Sequence, residues 1–394
     1  MSTKIITGVS TAIANKSNVY RTVRYCLLVF LFCSLQGLSA CGGGSGSSNS
    51  GGGGLAQVTL PTITSTAALN GAQTITLSDS TSGATIYYTL NGSTPTANST
   101  QYLAPFLVAS NLTVKVIAVV SGSSASQVAS QSFAANIASG TLVWSDEFSN
   151  ATGANAAPNS AVWTYDTGAG GWGNRELEIY CAWGSMALPC ASSSPNAYVG
   201  TDGYLHIVAR QPSNGVYTSA RMKTQGLFSF SFGRIEARMQ LPEAQGLWPA
   251  FWMLGNNITT VNWPACGEQD IMEHINAPQP DWIAGSLHGT NLSLSQEYPG
   301  ITGPTFAATD WHIYGMIWSK GSIQYYVDSP SNVYASFTPA SAAGQSGAVW
   351  PFDSNGGGFV ILNMAVGGNW PGSPVAATPF PSEMLVDYVR VYTN

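Results

Sequence analysis

Three carboxylates, Glu268, Asp270 and Glu273, fall within six residues of a 394-residue chain in which only 8% of residues are charged. Their neighbours in Trp263-Pro264-Ala265-Cys266-Gly267-Glu268-Gln269-Asp270-Ile271-Met272-Glu273-His274-Ile275 are largely apolar or aromatic, an expensive place for negative charge. In an extended strand Glu268 and Asp270 share one face while Gln269 and Ile271 take the other. Glu273 falls out of phase. A bulge near Ile271 and Met272 would return it to the face of the other two, and bulges are common beside active sites. The spacing then behaves as four strand steps, about 13 Å between the Glu Cα atoms, and inward lean leaves the carboxyl groups roughly 5 to 7 Å apart. Retaining glycosidases need about 5 to 5.5 Å and inverting ones about 6.5 to 9.5 Å, so the spacing favours retention. In that chemistry Glu268 attacks the anomeric carbon, and Glu273 protonates the leaving oxygen and later activates water. Asp270 hydrogen-bonds Glu268 and couples the titration of all three. The competing reading is a solvated acidic face or a calcium loop. Calcium loops want Gly and Asn at alternating positions, and this stretch offers Ile and Met.

On these residues the chain resembles glycoside hydrolase family 16. Trp-Pro-Ala-Cys-Gly-Glu-Gln-Asp-Ile-Met-Glu is similar to the active-site strand of its laminarinase-like branch, which has an extra residue before the second Glu. The resemblance implies nucleophile, assisting Asp and acid/base at Glu268, Asp270 and Glu273 in turn. Gln269 departs from the pattern, since the family usually has an aliphatic residue there; a Gln side chain entering the core must find hydrogen-bond partners.

The wider chain supplies the elements that hold this strand. A net charge of −6 argues against a nucleic-acid partner, and four His without a Cys-x-x-Cys pair argue against a zinc enzyme; no cofactor is expected for catalysis. Residues 1–40 read as a targeting segment: basic residues precede an apolar run, Tyr25 to Leu35, too short to span a bilayer. Leu38-Ser39-Ala40-Cys41 resembles a bacterial lipoprotein cleavage box, which implies lipidation at Cys41, a membrane anchor and delivery to the outer membrane or cell surface. Residues 41–54 are a Gly/Ser tether. Residues 55–136 carry short β-branched runs parted by turn residues, with Asn91-Gly92 as a hairpin signal. They read as a small β-sandwich that resembles the chitobiase C-terminal type of domain. Both a spacer role and glycan binding are open for it, and spacer is preferred because Tyr87 and Tyr88 cannot share a strand face.

Residues 141–394 carry the family resemblance from Val143-Trp144-Ser145-Asp146-Glu147-Phe148 to Val386-Asp387-Tyr388-Val389-Arg390-Val391-Tyr392. The expected fold is all-β, an antiparallel jelly-roll sandwich whose first and last strands pair. The resemblance further implies a structural calcium held by the carbonyls of Glu147 and Gly203 and the carboxylate of Asp387, hard oxygen donors of the kind calcium takes. It also implies sugar contacts at Asn174, Arg221 and His288, the last bonding a hydroxyl near the leaving group. Trp248 and Trp252 are four apart on a strand, hence on one face, and flat indoles suit the C–H faces of a pyranose. Cys181 and Cys190 close a short loop and could bridge in an oxidising compartment, while Cys266 reads as a small buried filler. The expected activity is a monomeric, retaining endo-β-1,3-glucanase acting on a polysaccharide. Other family 16 activities (mixed-linkage glucanase, agarase, transglycosylase) and a non-catalytic glucan-binding lipoprotein are the alternatives. Loops 276–281 and 296–304 are expected to set linkage preference.

Overall fold

The computed structural model describes residues 57–212, 215–276, 281–299 and 306–394. The targeting segment, Cys41 and the Gly/Ser tether lie outside them, as do parts of the two loops expected to set linkage preference. Almost every described element is a strand.

Residues 62–133 form two small sheets. Thr62–Ala67, Gln73–Ser78 and Phe106–Val108 make one; Thr100–Gln101, Thr85–Thr89, Leu112–Val119 and Ala129–Phe133 make the other. Ile75, Leu77, Tyr88, Phe106, Val114 and Val116 fill the space between them. Tyr88 is buried there, while its neighbour Tyr87 is half-buried, as strand alternation requires.

The larger sandwich stacks two sheets. Its eight-stranded sheet runs Ala197–Val199, Leu205–Ala209, Ser382–Tyr392, Gly233–Gln240, His312–Ser319, Ser322–Val327, Val333–Phe337, with Leu142–Asp146 also paired to Ser382–Tyr392. The first and last strands of this domain therefore do meet, Val389 opposite Asp146. The seven-stranded sheet runs Leu292–Tyr298, Ile283–Gly289, Glu268–Glu273, Leu247–Gly255, Gly358–Val366, Arg221–Lys223, Thr164–Asp166. These ladders are antiparallel; one short pair, Glu178–Tyr180 with Tyr217–Ser219, is parallel. Between the two sheets one continuous core gathers Phe251, Met253, Ile271, Met272, Leu287, Leu362, Met364, Met316, Trp318, Tyr325 and Val389. Alternation along Leu247–Gly255 follows: Phe251 and Met253 enter this core, and Trp248 and Trp252 turn to the outer face.

Candidate active site

The strand Glu268–Glu273 lies between Ile283–Gly289 and Leu247–Gly255. Its pairing passes from Trp252 opposite Asp270 to Phe251 opposite Met272, so Ile271 is an extra residue with no partner of its own. The same shift recurs against the other neighbour, where Asp270 faces Ser286 and Glu273 faces Ala284. Ile271 and Met272 consequently both enter the core, and Glu273 regains the outer face with Glu268 and Asp270.

Each of the two glutamates accepts an indole N–H. Trp263 Nε1 donates to Glu268 Oε2 at 2.8 Å, and Trp248 Nε1 donates to Glu273 Oε1 at 3.0 Å. His288, directly across from Glu268 in the register, sets its Nε2 3.3 Å from Asp270 Oδ2 and 3.9 Å from Glu268 Oε1. One oxygen each of Glu268 and Asp270 and a ring nitrogen of His288 lie within 4.8 Å of one another. The sequence reading gave His288 a sugar hydroxyl; its Nε2 faces Asp270 and Glu268, because the register places it beside these two carboxylates. Burial and then the Asp270 charge push the Glu268 carboxyl up to about 7, against the relief of His288. Burial, Asp270 and Glu268 hold Glu273 well above the usual carboxylate range. Desolvation pulls His288 down, but Asp270, Glu268 and Glu273 outweigh it and bring the imidazole to about 9.

On the far side of the sheet's centre a second group gathers. Arg221 lies opposite both Asn363 and Asp166. Its Nε is 3.0 Å from Asp166 Oδ2, and its guanidinium carbon sits 4.6 Å from the Trp252 ring centre and 5.2 Å from that of Trp172. It is thus a largely buried, stacked pair and not a surface one. Trp252 Nε1 donates to Asn363 Oδ1 (2.7 Å), Asn363 Nδ2 to the Tyr180 hydroxyl (3.1 Å), and that hydroxyl to Glu176 Oε2 (3.1 Å). Asn174 Nδ2 donates to Glu176 Oε1 at 3.0 Å. Asn174, Arg221 and Trp252 therefore belong to one polar chain. Trp263, Trp172, Glu176, Tyr180 and Asn363 are the members the sequence reading did not single out. Trp263 had a signal, being a Trp within the same motif; the others sit up to 183 residues from the group they bond.

The three positions named for calcium lie on or at the ends of three neighbouring strands. Leu205 pairs with Val386 and Asp146 with Val389, so the turn holding Gly203 and the residue Glu147 flank Asp387. Arg238 already holds Asp387 Oδ2 at 2.8 Å, and the Glu147 carboxylate is bound by Arg390. Cys181 and Cys190 are joined in a disulfide, and Cys266 is free and fully buried.

A β-sandwich that sets two glutamates on one outer face, out of phase in sequence and brought into phase by a bulge, with exposed and half-buried indoles around them, defines a glycoside hydrolase of the two-carboxylate kind. Residues 186–388 match the model of glycosyl hydrolases family 16, and residues 64–130 match that of the chitobiase/β-hexosaminidase C-terminal domain. The chain belongs to glycosyl hydrolases family 16. It is 40% identical over 261 residues to a beta-glucanase of Rhodothermus marinus, covering 64% of this chain and 84% of that one. To glucan endo-1,3-beta-glucosidase A1 of Niallia circulans it is 33% identical over 282 residues, spanning 65% of this chain and 38% of that protein. The catalytic domain of an endo-1,3-beta-glucanase (laminarinase) from Thermotoga petrophila RKU-1 superposes with a TM-score of 0.55 at 37% identity, covering 66% of this chain and 99% of that domain.

Proposed function

We propose that this chain is an endo-β-1,3-glucanase that cleaves laminarin-type glucan with retention of anomeric configuration. The observation that carries the reading is the bulge at Ile271, which aligns Glu268 and Glu273 on the outer face; the printed activities of the relatives supply the substrate class. Glu268 attacks the anomeric carbon to form a glycosyl-enzyme. Glu273, whose carboxyl burial and the neighbouring Asp270 and Glu268 hold well above the usual carboxylate range, protonates the departing oxygen and then takes a proton from water. The His288 imidazolium steadies the negative charge on Glu268 and offsets the Asp270 carboxylate between them, whose charge opposes it. Trp248, Trp252, Arg221 and Asn174 bind glucosyl units along the face. Retention of both glutamates weighs against a binding-only role.

The test is oligosaccharide release from laminarin, with agarose and mixed-linkage glucan alongside, and the product anomer followed by NMR. Glu268→Gln and Glu273→Gln should each lose most activity; hydrolysis by Glu268→Gln at the parent rate would remove the nucleophile assignment, and an inverted first product would remove the mechanism. Two accessory proposals accompany this one. The Glu147 and Gly203 carbonyls with Asp387 suit a weakly held calcium, since Arg238 competes for the single carboxylate, so millimolar calcium should raise the unfolding midpoint without altering kcat. Export with a lipid on Cys41 should appear as incorporation of labelled palmitate that Cys41→Ser abolishes.

A further inference from the structure

Backbone joins the small sandwich to the large one. Leu107 N–H donates to the Ser229 carbonyl (3.1 Å), Ser229 N–H donates to the Pro105 carbonyl (3.0 Å), and Asn70 Nδ2 reaches the Leu142 carbonyl (2.8 Å). Beside this seam, and sharing no residue with the acidic face, runs a groove of about 880 Å³, within the roughly 300–1,000 Å³ of typical organic-ligand sites. Asn98 and Thr100 come to its wall from one domain, Ser231 and Ser354 from the other. Of its lining side chains only Asp353 is charged at neutral pH, and that carboxylate accepts the Gly321 N–H at 2.8 Å. A groove without a cationic side chain offers nothing to a phosphate. Its amides and hydroxyls suit a neutral ligand rich in hydroxyl groups.

One residue adds a platform. Phe232 lines the groove with φ of 58°, a left-handed conformation that bulky side chains rarely adopt and that survives only where its surroundings hold it. Its ring is braced edge-on by the buried Trp318, with centroids 5.4 Å apart and planes at 63°, yet the residue stays 39% exposed. A fixed aromatic ring in solvent among amides and hydroxyls is suited to stack on the C–H face of a pyranose. We infer that the domain junction is a second carbohydrate site, which holds a neutral β-glucan chain to the enzyme away from the acidic face. That the ligand is a β-glucan rests on the function proposed above.

The experiment uses the full chain. Adsorption to insoluble β-1,3-glucan is measured in a Glu268→Gln background, so that the polymer persists, with and without Phe232→Ala or Ser354→Arg. Phe232→Ala removes the platform and Ser354→Arg fills the groove from an exposed position. Each should weaken adsorption about tenfold, as loss of a stacked, hydrogen-bonded sugar would. With Glu268 intact, each should keep kcat/KM on a soluble β-1,3-linked pentasaccharide within about twofold of the parent, since neither residue touches the acidic face. Should Phe232→Ala fail to fold, Ser354→Arg decides alone. Unchanged adsorption, or equal losses on soluble and insoluble substrate, overturns the second site. Failure of the parent itself to cleave β-1,3-glucan overturns instead the function on which it rests.

Discussion

The acidic face works as one titrating unit. Glu268 must be ionised to attack and Glu273 protonated to donate, so kcat/KM rises with pH through the Glu268 transition and falls through that of Glu273. With Glu268 near 7, the acid limb should lie near neutrality and not near the ordinary Glu value of about 4.3. Asp270 raises Glu268 and His288 lowers it, which gives two substitutions of opposite sign. Asp270→Asn should move the acid limb of kcat/KM down in pH and His288→Ala should move it up; profiles that both overlay the parent's would break the coupling. Gln269 offers a test of stability at the same scale. It is 1% exposed, and among the described residues neither its amide oxygen nor its nitrogen has a hydrogen-bond partner, so the concern raised by a Gln at an ordinarily aliphatic position is realised. Leaving such a group unpaired costs about 1–3 kcal/mol. Gln269→Leu, close in volume, should raise the denaturant midpoint by that order with activity unchanged; a lower midpoint would mean the amide has a partner after all.

At the scale of the strand, the decisive feature is a single surplus residue. It was legible because three carboxylates in an apolar run admit only one arrangement in which all share a face, and that arrangement needs a bulge near Ile271. The paired first and last strands and the one-face Trp248 and Trp252 were legible for the same reason: period-2 patterning is local. The chain of Trp252, Asn363, Tyr180 and Glu176 was not, because it joins strands far apart in sequence and no short-range pattern marks an Asn as the bridge. His288 was placed on the right face, but its partner depended on the register with Glu268. The bulge makes a sharp prediction. Deleting Ile271 removes the surplus residue and leaves Glu273 four steps from Glu268, so a regular strand still holds both on the outer face without a bulge. The variant should therefore keep far more activity than Glu273→Gln, whose loss is on the order of 10²–10⁴ in kcat, as for removal of a general acid. Folded ΔIle271 protein, verified by circular dichroism, that is as inactive as Glu273→Gln would show that strand phase alone does not align the two glutamates.

For the molecule as a whole, the small sandwich is more than an attachment on a tether. Pro105–Leu107 exchanges backbone hydrogen bonds with Ser229, Ser229 Oγ also reaches the Pro105 carbonyl, and Ala72 of the small domain belongs to the core that runs between the two large sheets. Ser229 is itself fully buried, so taking the small domain away would leave its hydroxyl and N–H without these partners and open the flank of Phe228 and Phe230 to water. At about 1 kcal/mol for each lost hydrogen bond, plus the apolar area uncovered at about 25 cal/mol per Å², the jelly roll should lose several kcal/mol. None of the side chains on the acidic face comes from residues 57–136, so the chemistry should survive the cut. A chain beginning at residue 137 is therefore expected to unfold several degrees below the full chain, while keeping kcat/KM on a soluble oligosaccharide at assay temperatures well under that midpoint. The full chain should melt in one transition by calorimetry. Two separate transitions, or an unchanged midpoint on truncation, would reduce the small sandwich to the passive spacer that the sequence reading preferred.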